Sequence, residues 1–113
     1  MGEVRPRMRI SATRTLVKSP PEIWERLDDE PQLRHWSARF CAGEPGAEVL
    51  AREPGRMLAW RSEGAVVEVT LAEKGWGTQV EISAEAGEPV EESALEQVLD
   101  ELAEPQRRPF SAV

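Results

Sequence analysis

From Arg56 to Ala84 the chain holds three runs in which large apolar residues recur every second position, separated by short glycine-containing joints. Arg56–Ser62 carries Leu58 and Trp60 on one side, against Met57, Ala59 and Arg61 on the other. Ala65–Glu73 turns Val67, Val69 and Leu71 inward, with Glu68 and Thr70 outward. Trp76–Ala84 turns Trp76, Thr78, Val80 and Ile82 inward, with Gln79, Glu81 and Ser83 outward. A period of two over such a stretch marks strands with one buried face. The joints Glu63-Gly64 and Lys74-Gly75 have room only for hairpins, so consecutive strands pair antiparallel.

A weaker strand, Ala47–Arg52, precedes this meander through the turn Glu53-Pro54-Gly55. Nearer the N-terminus, Met8, Ile10, Ala12 and Leu16 share one face of an alternating run that reaches Val17, and Arg9, Ser11, Thr13 and Thr15 share the other. Arg14 interrupts the apolar face. Ser19-Pro20-Pro21-Glu22 then starts a helix: a capping serine, proline in the first turn and an acid where a capping box needs it. Ile23, Trp24 and Leu27 follow on one face. Pro31 is expected to end this helix, and Pro31–Trp36 to form a second short one carrying Leu33 and Trp36. Gly43, Pro45 and Gly46 mark a loop. After Gly87-Glu88-Pro89, the residues Ala94, Leu95, Val98, Leu99 and Leu102 fall on one helical stripe, with Glu91, Glu92, Glu96, Asp100 and Glu101 expected in water. Pro105 stops that helix, and 106–113 reads as a frayed tail. The expected fold is α+β, a single domain spanning residues 1–113 with its core in about 8–104.

Length and charge narrow the functional classes. One core suits 113 residues. Residues 63–104 hold 12 acids and one base, which dominates the net charge of −7. Nucleic acid and anionic bilayers demand clustered Lys and Arg, so neither is an expected partner. Arg5, Arg7, Arg9 and Arg14 could form a small positive strip, although a solvated strand face accounts for them more simply. Cys41, the single cysteine, has no internal partner, which fits a reducing compartment. The start of the chain lacks the apolar run of a signal peptide, and no stretch approaches the roughly 20 apolar residues of a membrane span. The expectation is a soluble, cytoplasmic protein without membrane insertion.

Recognisable reaction chemistry is sparse. One histidine and one cysteine cannot assemble the usual zinc site, and neither a Gly-rich phosphate loop nor a Gly-flanked nucleophilic serine occurs. Gly75-Trp76-Gly77 is accounted for by a turn. His35 has the pKa class of a general base, but the sequence places no acid or nucleophile beside it. Asp28-Asp29-Glu30 reads as a solvated helix end rather than a metal site, and Cys41 beside Phe40 as a small buried hydrophobe. No metal and no cofactor is expected.

The run Val17-Lys18-Ser19-Pro20-Pro21-Glu22-Ile23-Trp24-Glu25-Arg26-Leu27-Asp28-Asp29, with Trp36 after it, resembles the start of the START-like, or SRPBCC, superfamily. That superfamily holds polyketide cyclases and dehydratases, pollen-allergen-like proteins and lipid-transfer domains. Gly77-Thr78-Gln79-Val80-Glu81-Ile82 is similar to a late strand of the family, and Arg56-Met57-Leu58-Ala59-Trp60-Arg61 to a middle one. The resemblance implies a helix-grip: a curved antiparallel sheet, here of about five strands, with two short helices after the first strand and a long C-terminal helix packed on the sheet. Family members usually carry more strands, so this would be a compact variant.

On that resemblance the ligand-binding candidates between sheet and helix are Trp36, Phe40, Leu58, Trp60, Val69, Trp76, Val80, Leu95, Val98 and Leu102. They either fill one another's space or wall a cavity. Arg14, Arg61 and Thr78 are the nearest polar handles. The resemblance implies a carrier of a small hydrophobic molecule (lipid, isoprenoid or polyketide-like) without catalysis. The alternatives are a cyclase or dehydratase using Arg61 and His35, and a protein-interaction domain similar to chaperone-activator domains, whose acidic stretch meets a basic partner. Exposed sheet edges also permit a homodimer.

Overall fold

The computed structural model describes residues 8–38, 47–62, 64–75, 77–87 and 90–104. Phe40, Cys41, Trp76, Arg5, Arg7, the loop markers Gly43, Pro45 and Gly46, and the expected tail after Pro105 lie outside them. In chain order the elements are β1 (Met8–Leu16), α1 (Pro20–Leu27), α2 (Glu30–Ser37), β2 (Glu48–Glu53), β3 (Met57–Ser62), β4 (Ala65–Lys74), β5 (Gly77–Ala86) and α3 (Glu92–Ala103). One antiparallel sheet runs β1-β5-β4-β3-β2. The first strand therefore pairs with the last, and α3 crosses their inner face. This is the expected α+β helix-grip. Among the described residues no helix is long and apolar enough to cross a membrane.

The hairpins follow their turn chemistry. Ser62 pairs with Ala65, and Lys74 pairs with Gly77, so each hairpin closes within two residues. Gly64 (φ 88°) and Gly75 (φ 62°) hold backbone conformations that L side chains rarely adopt. β5 continues two residues past Ala84, because Glu85 and Ala86 are paired on both sides, with β1 and with β4. Its other end meets β1 closely. A Cβ on Gly77 would stand 2.4 Å from the Leu16 carbonyl oxygen, so only glycine fits there.

Three expectations need correcting. Pro31 does not end the first helix: α1 stops at Leu27, and Pro31 lies in the first turn of α2, where its missing N–H had no helical partner anyway. Arg9 and Arg14 form no strip, because strand alternation sends them to opposite faces of β1. Nor do Glu96, Asp100 and Glu101 all face water unengaged; all three bind groups on other elements.

The core is the space between the sheet's inner face and the three helices. Ile23 and Leu27 from α1, Leu33 and Trp36 from α2, and Leu95, Val98, Leu99 and Leu102 from α3 are buried there. They meet Leu58, Trp60, Val67, Val69, Val80 and Ile82 from the sheet. Burial of each such side chain contributes about 1.5–3 kcal/mol.

Candidate functional site

The interior is organised around two tryptophans. Strand alternation turns Trp60 inward from β3, and the helical stripe of α2 brings Trp36 to meet it. Their ring centroids lie 6.4 Å apart with planes inclined by 34°. Both rings are fully buried, and an indole N–H taken out of water requires an acceptor. Trp60 Nε1 donates to Ser37 Oγ at 3.0 Å, and Trp36 Nε1 donates to Glu101 Oε1 at 2.9 Å. The same Glu101 oxygen accepts from Gln32 Nε2 at 2.9 Å, while His35 Nε2 lies 3.9 Å from Oε2. Glu101, on the α2-facing side of α3, therefore joins the two helices.

Polar groups around the rim tie α3 to the rest of the fold. Arg14 forks between Glu96 at 2.6 Å and Asp100 at 2.5 Å, and its hydrogen bond to Asp100 raises the guanidinium pKa further above its ordinary value. That is why a cation stands on the apolar face of β1. Lys18 Nζ donates to the Leu102 carbonyl at 3.1 Å and to the Glu104 carbonyl, closing the C-terminal end of the helix with a positive charge. Arg26 reaches Glu104 at 3.5 Å. Thr78 Oγ1 donates to the Lys18 carbonyl at 2.7 Å, which holds the backbone of that residue.

Of the ligand-binding candidates, Trp36, Leu58, Trp60, Val69, Val80, Leu95, Val98 and Leu102 come together in this one interior, each fully buried. Phe40 and Trp76 fall outside the described residues. Arg61 points the other way, exposed on the outer face of the sheet and bonded to Glu48 at 2.9 Å. His35 is half exposed above Glu101. Arg61 and His35 thus occupy opposite sides of the sheet and share no site. Asp28 pairs with Arg52 at 3.0 Å and Glu30 with Arg34 at 3.3 Å, and no metal-holding group of three occurs among the described residues.

Sequence reasoning missed Glu101, Gln32 and Ser37. Glu101 had a legible signal: it follows Ala94 and Val98 at the i, i+4, i+7 spacing of one helix face. Among the described residues every buried side-chain nitrogen and oxygen has a partner. The described part of the interior therefore presents apolar surface, with no unpartnered polar side-chain atom in it.

This arrangement is a helix-grip fold, a five-stranded antiparallel sheet with the C-terminal helix packed on it. No protein-family model and no curated protein matches the sequence. Solved structures do. A Deinococcus radiodurans protein superposes with a TM-score of 0.64 at 18% identity, over 85% of this chain and 94% of its own. An AHSA1-like protein from Rhizobium etli gives 0.66 at 16% identity, covering 100% and 94%. The Aha1 dimer from Colwellia psychrerythraea gives 0.61 at 17% identity, covering 85% and 96%. At these identities the likeness establishes the fold.

Proposed function

We propose that this chain binds a small hydrophobic molecule, of the lipid, isoprenoid or polyketide class, between its sheet and α3, and performs no chemical step on it. The observation that carries the reading is the interior itself: two neighbouring buried tryptophans and aliphatic walls, with every buried side-chain nitrogen and oxygen among the described residues engaged by the protein. Affinity would come from apolar burial, at about 25 cal/mol per Å². The described wall residues are fully buried, so uptake would require α3 to lift from the sheet. Its fastenings at the rim are ion pairs and a capping lysine, contacts that break and re-form in water without disturbing the meander.

Tryptophan fluorescence tests this directly, because Trp36 and Trp60 stand at the centre of the site. Titration with a fatty acid, a prenyl alcohol, a quinone and an aromatic polyketide should give saturable quenching or a blue shift with at least one. A flat response to all four overturns the reading.

A further inference from the structure

The two edges of the sheet are built differently. β2 has six residues, three of them charged (Glu48, Arg52 and Glu53), and a bulge at the exposed Leu50 between the pairs Val49–Trp60 and Ala51–Ala59. Short length, charge and a bulge all discourage a further strand from pairing there. β1 is longer, carries no bulge and has two charged residues in nine. Its nine residues keep one unbroken register with β5 and include no proline, glycine or lysine. Both its arginines turn to groups of their own chain: Arg9 toward Ser83 at 3.4 Å, and Arg14 to α3. No other described strand pairs with its outer side.

The charges beside this edge are self-complementary. On the outer face Arg9 lies across from Glu85, while the exposed Glu81 is flanked by Thr13 on β1 and Thr70 on β4. We propose that two copies of this chain join through antiparallel pairing of β1 with β1 about a two-fold axis at Ser11, making one continuous ten-stranded sheet (twice the five strands of one copy). In that register Arg9 stands opposite the partner's Thr13, and so between its own Glu85 and the partner's Glu81. Ile10 meets the partner's Ala12, Ser11 meets the partner's Ser11, and Met8 lies along the alkyl stem of the partner's Arg14. Like charges are nowhere directly opposed. Shifting the axis by one residue to Ala12 sets Arg9 against the partner's Thr15, and its guanidinium leaves the row of Glu81.

The inference is independent of the ligand reading, and oligomeric mass and cross-linking decide it. Light scattering across a concentration series should show the full chain approaching twice its 12.6 kDa mass. In a Cys41→Ser background, Ser11→Cys should form an intermolecular disulfide on mild oxidation, because cross-strand Cα separations of about 4.5–5.5 Å suit that bond. Leu50→Cys, on the other edge, should not. The pair Ser11→Lys and Thr13→Lys, both at exposed outward positions, should give a folded monomer. A wild-type mass that stays monomeric throughout overturns the proposal. So does a dimer that survives the lysine pair, or one trapped by Leu50→Cys and not by Ser11→Cys.

Discussion

Replacing Glu101 by leucine removes the acceptor of two donors at once, the Trp36 indole N–H and the Gln32 amide, one of them on a fully buried ring. A buried donor left without a partner costs about 1–3 kcal/mol. Glu101→Leu should lower stability by that order in urea titrations, although leucine is the better helix former. Glu101→Gln retains an acceptor oxygen and should lose clearly less. Equal losses in the two variants would mean that the carboxylate, and not the hydrogen bond, is what matters. Glu22 acts at the same scale. The Ser19 backbone N–H, and after it the Ser19 hydroxyl, hold the Glu22 carboxyl below its ordinary value. A pKa lowered by folding gives stability that is present above the unfolded value and lost as pH falls through the folded one. The difference between wild type and Glu22→Gln should therefore be largest at neutral pH and shrink in acid. Denaturation midpoints measured from neutral to acid pH check this, and a constant gap would refute the role. Both residues show where side-chain logic was legible. The capping acid announced itself by its spacing from Ser19. Glu101 showed its face of α3 by its spacing from Ala94 and Val98, but its partner is an indole far away in the chain that only tertiary packing brings near.

At the scale of elements, strands were easier to read than helix boundaries. A period of two reports directly which side of a strand is buried, and Leu58, Trp60, Val67, Val69, Val80 and Ile82 all occupy the inner face that the alternation assigned them. Pro31 misled because proline serves both to end a helix and to begin one, and the next helix decided between them. The weak alternation of β2 had a physical cause as well: the bulge at Leu50 breaks the period in the middle of the strand. Arg14 was visible as an exception on the apolar face of β1, but its partners lie on α3 and could not be named from the sequence. The join between β1 and β5 gives a prediction at this scale. Gly77→Ala would drive a methyl group into the Leu16 carbonyl, a backbone atom that cannot rotate away. Overpacking of this kind costs about 1–3 kcal/mol. A corresponding fall in the urea midpoint is expected, with hydrogen exchange accelerating first at the end of β1. An unchanged midpoint would show that the two strands separate at no cost.

For the whole molecule, the proposed binding raises the question of how the core would admit a guest. The interior is lined by fully buried residues, yet the helix forming one wall is fastened at its rim by exposed and half-exposed charges. On the proposed reading the apolar contacts of α3 would hold it in place, and the ion pairs would set how readily it departs. Pairs as exposed as Arg14 with Glu96 and Asp100 contribute about 0.2–1 kcal/mol each after screening. Removing both would raise the population of the lifted helix about 2- to 30-fold, since about 1.4 kcal/mol is a factor of ten. Arg14→Gln, which cannot form either ion pair, should therefore take up a neutral hydrophobic dye such as Nile red several-fold faster than wild type, as followed by stopped-flow fluorescence. Added salt should accelerate uptake by the wild type, because screening weakens the same pairs, and should change Arg14→Gln much less. A rim that only stabilises the fold, without controlling entry, would lower the urea midpoint of Arg14→Gln and leave the uptake rate where it was.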